Sequence, residues 1–297
     1  MGLFRYGGCD YTVAMFDTLV ETEALAAHLE DPSWVVFDCR GNLADPEAGP
    51  RSYAAGHIPG ATHLHMERDL SSPVTPDTGR HPLPDPRRLA DTLGRAGAGA
   101  DSQIVAYDDM QGAYAARLWW LARWLGHRRI AVLNGGWQQW LKEGHPVTQL
   151  VPAPVPREFP MPTPQGGAWV PVADVLEMVR GRKRGVLLDA RAAGRFRGEG
   201  ETIDPVAGHI PGAVSAPFAD NIAADGRFKS PAELRRRFEP LLSGLRPDQA
   251  VCMCGSGVTA CHNLLAMEAA GLKGARLYAG SWSEWIRDPA RPVARDG

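Results

Sequence analysis

The sequence predicts two parallel α/β domains in tandem, and three observations carry that expectation. Short apolar runs that read as buried strands alternate with segments of helical composition along the chain. The pattern of the first half then recurs in the second. Between the halves, Pro146, Pro152, Pro154, Pro156, Pro160, Pro162 and Pro164 punctuate a segment that ends at Gln165. Prolines at that density exclude a helix and favour an extended, semi-rigid connection. The expected organisation is a first domain over residues 10–146, a linker over 147–165 and a second domain over 166–290.

In order, Thr18 followed by Glu21 gives a cap signal for a helix running to about Glu30. Trp34-Val35-Val36-Phe37-Asp38 reads as a buried strand that ends on Asp38-Cys39-Arg40. Gly41 to Ala55 reads as a polar loop, and Gly56-His57-Ile58-Pro59-Gly60-Ala61 places Pro-Gly at the central positions of a type II turn. Residues 85–95 are expected to be helical, Gln103–Tyr107 a strand, and Gly112–Leu125 an amphipathic helix. Trp119, Trp120 and Trp124 lie at helical spacing there and read as core or interdomain packing. Ile130–Leu133 is a further strand, followed by Asn134-Gly135-Gly136-Trp137 and a short helix to Leu141.

The second half answers the first. Val186-Leu187-Leu188-Asp189-Ala190-Arg191 matches the run from Val35 to Arg40, and Gly208-His209-Ile210-Pro211-Gly212-Ala213 repeats Gly56–Ala61 letter for letter. Ala279-Gly280-Ser281-Trp282 matches the run from Asn134 to Trp137, and Ala250-Val251-Cys252-Met253-Cys254 matches Ile104 to Asp108. One repeat of this length means two homologous domains, each a parallel sheet with function at the strand C-terminal ends. The copies differ at one informative place, where the first has Asp108 and the second Cys254.

Cys254 opens a tight loop, Cys254-Gly255-Ser256-Gly257-Val258, between a short apolar strand and a helix beginning near Thr259, with Ser256 or Thr259 as its cap. Two glycines let the backbone curl with its amides inward, and the helix N-terminus adds partial positive charge. Such a site lowers a thiol pKa, which makes Cys254 a candidate nucleophile that the first domain lacks. Cys252, Cys254, Cys261 and His262 lack the paired spacing of a structural zinc site, so no metal is expected. Asp38, Arg40, Asp189 and Arg191 read as ties at strand ends, and Cys9 and Cys39 as bystanders.

Composition excludes several classes. The 297 residues are enough for two cores, and a formal net charge of −2 favours neither a nucleic-acid nor a membrane surface. The opening residues, with Arg5, Asp10 and Asp17, lack the apolar stretch of a signal peptide. Five cysteines at irregular spacing argue for a reducing cytoplasm rather than a disulfide framework. A Cys-based phosphatase would want an arginine six residues after the cysteine, where this chain has Ala260.

The duplicated Asp-x-Arg, the duplicated Gly-His-Ile-Pro-Gly-Ala and the loop Cys254-Gly255-Ser256-Gly257-Val258-Thr259 together resemble the tandem-domain sulfurtransferases of the rhodanese superfamily. The resemblance implies two rhodanese-like domains, the first silent, with a site at their interface. It implies transfer of a sulfane sulfur through a persulfide on Cys254, to a thiol acceptor such as thioredoxin or a low-molecular-weight thiol, or to cyanide. No cofactor is implied. The neutral Gly255 and Ser256 resemble the mercaptopyruvate subfamily rather than members specialised for thiosulfate, a dianion that basic loop residues would favour. In that subfamily a loop serine forms a relay with a histidine and an acid of the other domain. Ser256 matches the serine, His57 is assigned as the histidine, and Asp45 or Glu47 as the acid.

Gly194-Arg195-Phe196 matches the motif of a substrate-binding arginine, with the loop residues Gly255, Gly257, Val258 and Thr259 beside it. The second arginine of the pattern is replaced by Asp204, with Arg197 as a substitute, so thiosulfate stays open as the donor. A non-enzymatic sulfur carrier would share Cys254 and differ only in lacking turnover.

Overall fold

The computed structural model describes residues 15–160 and 164–295. Arg5, Cys9, Pro162 and the expected start of the first domain at Asp10 lie outside the described residues. The first half runs β1 (Leu19–Val20), α1 (Thr22–Ala26), β2 (Trp34–Asp38), α2 (Ala48–Ala55), β3 (Thr62–His63), α3 (Pro86–Arg95), β4 (Gln103–Tyr107), α4 (Ala115–Trp124), β5 (Ile130–Leu133) and α5 (Gly136–Lys142). The second runs α6 (Val172–Val179), β6 (Val186–Asp189), α7 (Ala193–Arg197), β7 (Val214–Ser215), α8 (Pro231–Leu242), β8 (Ala250–Met253), α9 (Ala260–Ala269), β9 (Arg276–Leu277) and α10 (Ser281–Trp285).

Both sheets are parallel. The first has the order β1-β5-β4-β2-β3 and the second β7-β6-β8-β9, so β5-β4-β2-β3 is repeated as β9-β8-β6-β7. Central strands are buried on both faces, which is why they are continuous apolar runs rather than alternating ones. In both copies the Pro-Gly turn closes as expected, with Gly60 at φ 80° and Gly212 at φ 78°.

Two expectations fail locally. Thr18 does not cap a helix, because Leu19–Val20 pairs with β5 as an edge strand, and α1 is confined to Thr22–Ala26. Pairing with a central strand satisfies backbone groups that a cap would have left to solvent. The expected polar loop contains α2, whose Pro50 sits in the first turn, where its missing N–H has no intrahelical partner to lose. Better signalled are α3, where Asp85 accepts from Arg87 N and Arg88 N, and α8, where Ser230 and Glu233 form a reciprocal box.

The linker packs back on the first domain, with Thr148 bridging His57 and Arg157 N donating to Gly94 O. The domains share a core. One apolar cluster includes Trp119, Trp120 and Trp124 of α4 together with Leu264 and Leu265 of α9, and these two helices pack against each other. That contact brings the C-terminal end of β8 against loops of the first domain. Among the described residues no helix is long and apolar enough to cross a membrane.

Candidate active site at the domain interface

Cys254 follows β8 directly and is almost wholly buried. Its N–H donates to Ser281 Oγ (3.1 Å), and its carbonyl accepts from Trp282 N (3.0 Å). Gly257 turns the loop back at φ 82°, and a Cβ there would lie 2.2 Å from Ala279 O, so only glycine fits. The turn aims Gly257 N–H at Cys254 Sγ (3.1 Å), a donor that favours sulfur carrying negative charge. Neither Ser256 nor Thr259 caps α9 through its side chain.

Ser256 Oγ instead meets His81 Nδ1 across the interface, at 2.8 Å, with both residues buried. His57, assigned to this partnership from sequence, is elsewhere. Its Nδ1 faces Tyr53 O (2.9 Å), its Nε2 faces Leu150 O (3.1 Å), and its ring stacks on Tyr53 at 3.8 Å. His209 repeats the arrangement, with Nδ1 on Phe196 O (2.8 Å) and its ring on Phe196 at 3.8 Å. The Gly-His-Ile-Pro-Gly-Ala histidine is thus a scaffold piece in both copies. Asp45 is exposed and paired with Arg51, and Glu47 is paired with Arg68, so neither acid meets His57 or His81. Burial, with Arg117 and Arg80 nearby, pushes the His81 imidazole down to about 3, so it is neutral at physiological pH.

Two arginines converge on Gly255. The Nη2 of Arg80, from the first domain, lies 3.1 Å from where a Gly255 Cβ would be, and Arg195 Nη2 lies 3.7 Å from the same point. Asp204, standing where a second arginine was expected, holds both. One carboxylate oxygen accepts from Arg80 Nη1 and the other from Arg195 Nη2 (2.9 Å), while Glu201 takes Arg195 Nε (2.9 Å). Arg80 thus reaches the Cys254 loop from the other domain. Arg197 does not substitute for it, since its side chain is exposed and forked onto Glu199. Val258 is buried in the shared core, and Thr259 is partly exposed at the start of α9.

Arg40 grips Asp38 and donates to Gly56 O (2.6 Å), and Arg191 does the same with Asp189 and Gly208 O (2.8 Å). These pairs tie each strand end to its turn. Burial pushes the thiols of Cys39 and Cys252 up and that of Cys261 up to about 12, so all three stay protonated. Among the described residues no cluster of histidine, cysteine and acidic groups could hold a metal ion.

Sequence reasoning missed His81, Arg80 and Ser281. A signal for His81 existed: the stretch between β7 and α8 that answers its loop contains no histidine, whereas His57 has a copy in His209. A residue found in one copy alone is the better candidate for chemistry, which is the reasoning that singled out Cys254.

Comparison with known proteins agrees with this architecture. The rhodanese-like domain family matches residues 21–143 and 172–288. A probable 3-mercaptopyruvate sulfurtransferase of Pseudomonas aeruginosa is 51% identical over 278 residues, 93% of this chain and 97% of that protein. A thiosulfate sulfurtransferase of Mus musculus is 37% identical, covering 92% of this chain and 93% of its own length. Among solved structures, a 3-mercaptopyruvate sulfurtransferase from Leishmania major superposes with TM-score 0.81 at 29% identity, covering 92% of this chain and 76% of that one. Two matched domains, two parallel sheets in repeated order and a relative identical at half its positions lead to one conclusion: this chain belongs to the rhodanese-like domain family, with two such domains in tandem.

Proposed function

We propose that the protein moves a sulfane sulfur from 3-mercaptopyruvate, through a persulfide on Cys254, to a thiol or cyanide acceptor. The observation that carries this reading is the contact of Ser256 with a neutral His81 beside a cysteine whose sulfur accepts an amide N–H. The 51% identity to a probable 3-mercaptopyruvate sulfurtransferase supports it.

The donor's carboxylate is taken by Arg195 and Arg80, and its thiol sulfur is placed against Cys254. The Cys254 thiolate attacks that sulfur, and an S–S bond forms as the C–S bond breaks. The bonding pair leaves on carbon as the enolate of pyruvate. The thiol proton passes to Ser256 Oγ as the serine proton passes to His81 Nδ1. An imidazolium so disfavoured there returns its proton readily, and the enolate carbon takes it to give pyruvate. An acceptor thiolate or cyanide then attacks the outer sulfur and releases Cys254 as thiolate.

Thiosulfate is the second reading, favoured by the 37% identity to a thiosulfate sulfurtransferase. Against it, Asp204 and Glu201 offset the charge of Arg80 and Arg195, leaving little net attraction for a dianion. Thioredoxin or a low-molecular-weight thiol is the proposed acceptor, the reducing cytoplasm the proposed compartment, and residues 10–146, 147–165 and 166–290 the proposed division of the chain. Side-by-side kcat/KM values for 3-mercaptopyruvate and thiosulfate test the donor assignment. A higher value for thiosulfate overturns it.

A further inference from the structure

Arg117 lies on α4 of the first domain and is completely buried. Among the described residues it forms no ion pair with a carboxylate. Its Nη1 donates to Gly257 O (3.1 Å), its Nη2 donates to His81 O (3.1 Å), and its Nε has no partner. Gly257 is the residue whose N–H faces Cys254 Sγ, and His81 is the residue whose ring faces Ser256. One guanidinium from the domain without a nucleophile therefore holds both the loop that presents the sulfur and the strap that carries the imidazole.

A buried, unpaired guanidinium is costly, and buried charges normally have a counter-charge. The groups surrounding Cys254 identify it. Arg80 and Arg195 are offset by Asp204 and Glu201. Cys252 on β8 and Cys261 on α9 stay protonated, and His81 stays neutral. The ionisable groups that act on Arg117 are first the thiol of Cys261, which also hydrogen-bonds it, and then that of Cys254, with no carboxylate among them. Of these two, only Cys254 has an amide aimed at its sulfur.

We propose that Arg117 is the buried counter-ion and positioning residue for the sulfur anion on Cys254, as thiolate and then as persulfide, held to it through the carbonyls of Gly257 and His81. This rests on the reading of Cys254 as the sulfur carrier. Arg117 touches no substrate. It compensates charge from behind the loop and fixes the left-handed turn that points the Gly257 amide at sulfur.

The test is the pH dependence of iodoacetamide alkylation at Cys254, read by mass spectrometry, with the rate of persulfide formation measured in parallel. In folded Arg117→Gln the alkylation midpoint should rise by about one pH unit or more. Persulfide formation should slow by roughly 10–100-fold, with KM changed less than about threefold. Arg117→Lys keeps the charge but cannot hold both carbonyls. Its midpoint should stay within about half a unit of wild type while persulfide formation slows about tenfold. An unmoved midpoint in Arg117→Gln, or an equal rise in both variants, overturns the proposal. Should Arg117→Gln fail to fold, Arg117→Lys decides alone: a raised midpoint or an unslowed reaction overturns it. Alkylation needs no sulfur donor, so a mistaken donor leaves this test standing. A wild-type Cys254 that takes up no sulfur defeats the underlying reading instead.

Discussion

The loops after β4 and β8 occupy equivalent places in the two sheets and open on different side chains, the carboxyl of Asp108 and the thiol of Cys254. In the first domain Asp108 is fully buried, and its carboxylate accepts from the N–H groups of Met110, Gly112, Tyr114 and Ala115 (2.7–2.8 Å). The nest is closed by a side chain supplied from within, whose pKa burial raises while the four amides oppose that rise. In the second domain Cys254 stands at the strand end, and its sulfur accepts from the N–H of Gly257 (3.1 Å). The following turn differs to match. Trp137 N caps Asp108 O as Trp282 N caps Cys254 O, but Gly136 (φ 58°) is replaced by Ser281 (φ 53°). The serine bears a left-handed backbone that glycine adopts freely, and its hydroxyl takes the Cys254 amide. The same strand end thus carries a buried carboxyl held by several amides in the first domain and a buried thiol in the second.

Breaking the comparison at its centre should have the largest effect. Cys254→Ser should lower sulfur transfer by roughly 10³-fold or more with thermal stability little changed. Persulfide on another cysteine, or retained activity, would contradict that outcome. The histidines come next. His81→Ala should lower kcat for persulfide formation by about 10²-fold, while attack of cyanide on preformed persulfide changes little. His57→Ala and His209→Ala should match each other instead, each costing about 1–3 kcal/mol of stability by removing a buried, stacked ring and its hydrogen bonds. A kinetic loss confined to His57→Ala would restore it to the mechanism.

Asp108→Ala strips one acceptor group from four amides, three of them in buried bonds, and should destabilise the protein by about 3 kcal/mol or more, read by denaturant unfolding. A neutral effect would mean that water enters the nest and that the comparison with Cys254 is superficial. Acid should act on the interface gradually. His81 is held at about 3 and His262 at about 4, both below the ordinary 6.5. The unfolded chain therefore takes up protons that the folded chain refuses, and stability falls as pH drops from about 6.5 towards 3. A stability curve flat from pH 7 to 4 in wild type, or one unchanged by His81→Gln, would argue that the ring is solvated. The smallest effect expected is that of Ser281→Gly, which relieves the backbone but loses the hydroxyl. Stability should stay within about 1 kcal/mol and kcat fall by a few-fold.

Much of the molecule was legible in the residues. Apolar runs placed every central strand, and the repeat showed that Cys254 has no counterpart in the first domain. Local chemistry decides such features, because a buried parallel strand must be apolar throughout and a tight anion-facing loop needs glycine. The edge strand at Leu19 was not legible because pairing with β5 overrode the local cap signal, and the helix within Gly41–Ala55 was not because no side-chain cap marks its start.

The sequence by itself determined the tandem parallel domains, the candidate nucleophile and the neutral loop beside it. Only the tertiary structure decided that Ser256 meets His81 rather than His57, that Asp204 spans Arg80 and Arg195, and that Arg117 reaches the loop from behind. The physical reason is separation along the chain. His81 and Arg117 lie 175 and 140 residues from their partners in the second domain, and no local periodicity encodes such a meeting. It follows from the packing of α4 on α9, which fixes how one sheet's loops face the other's.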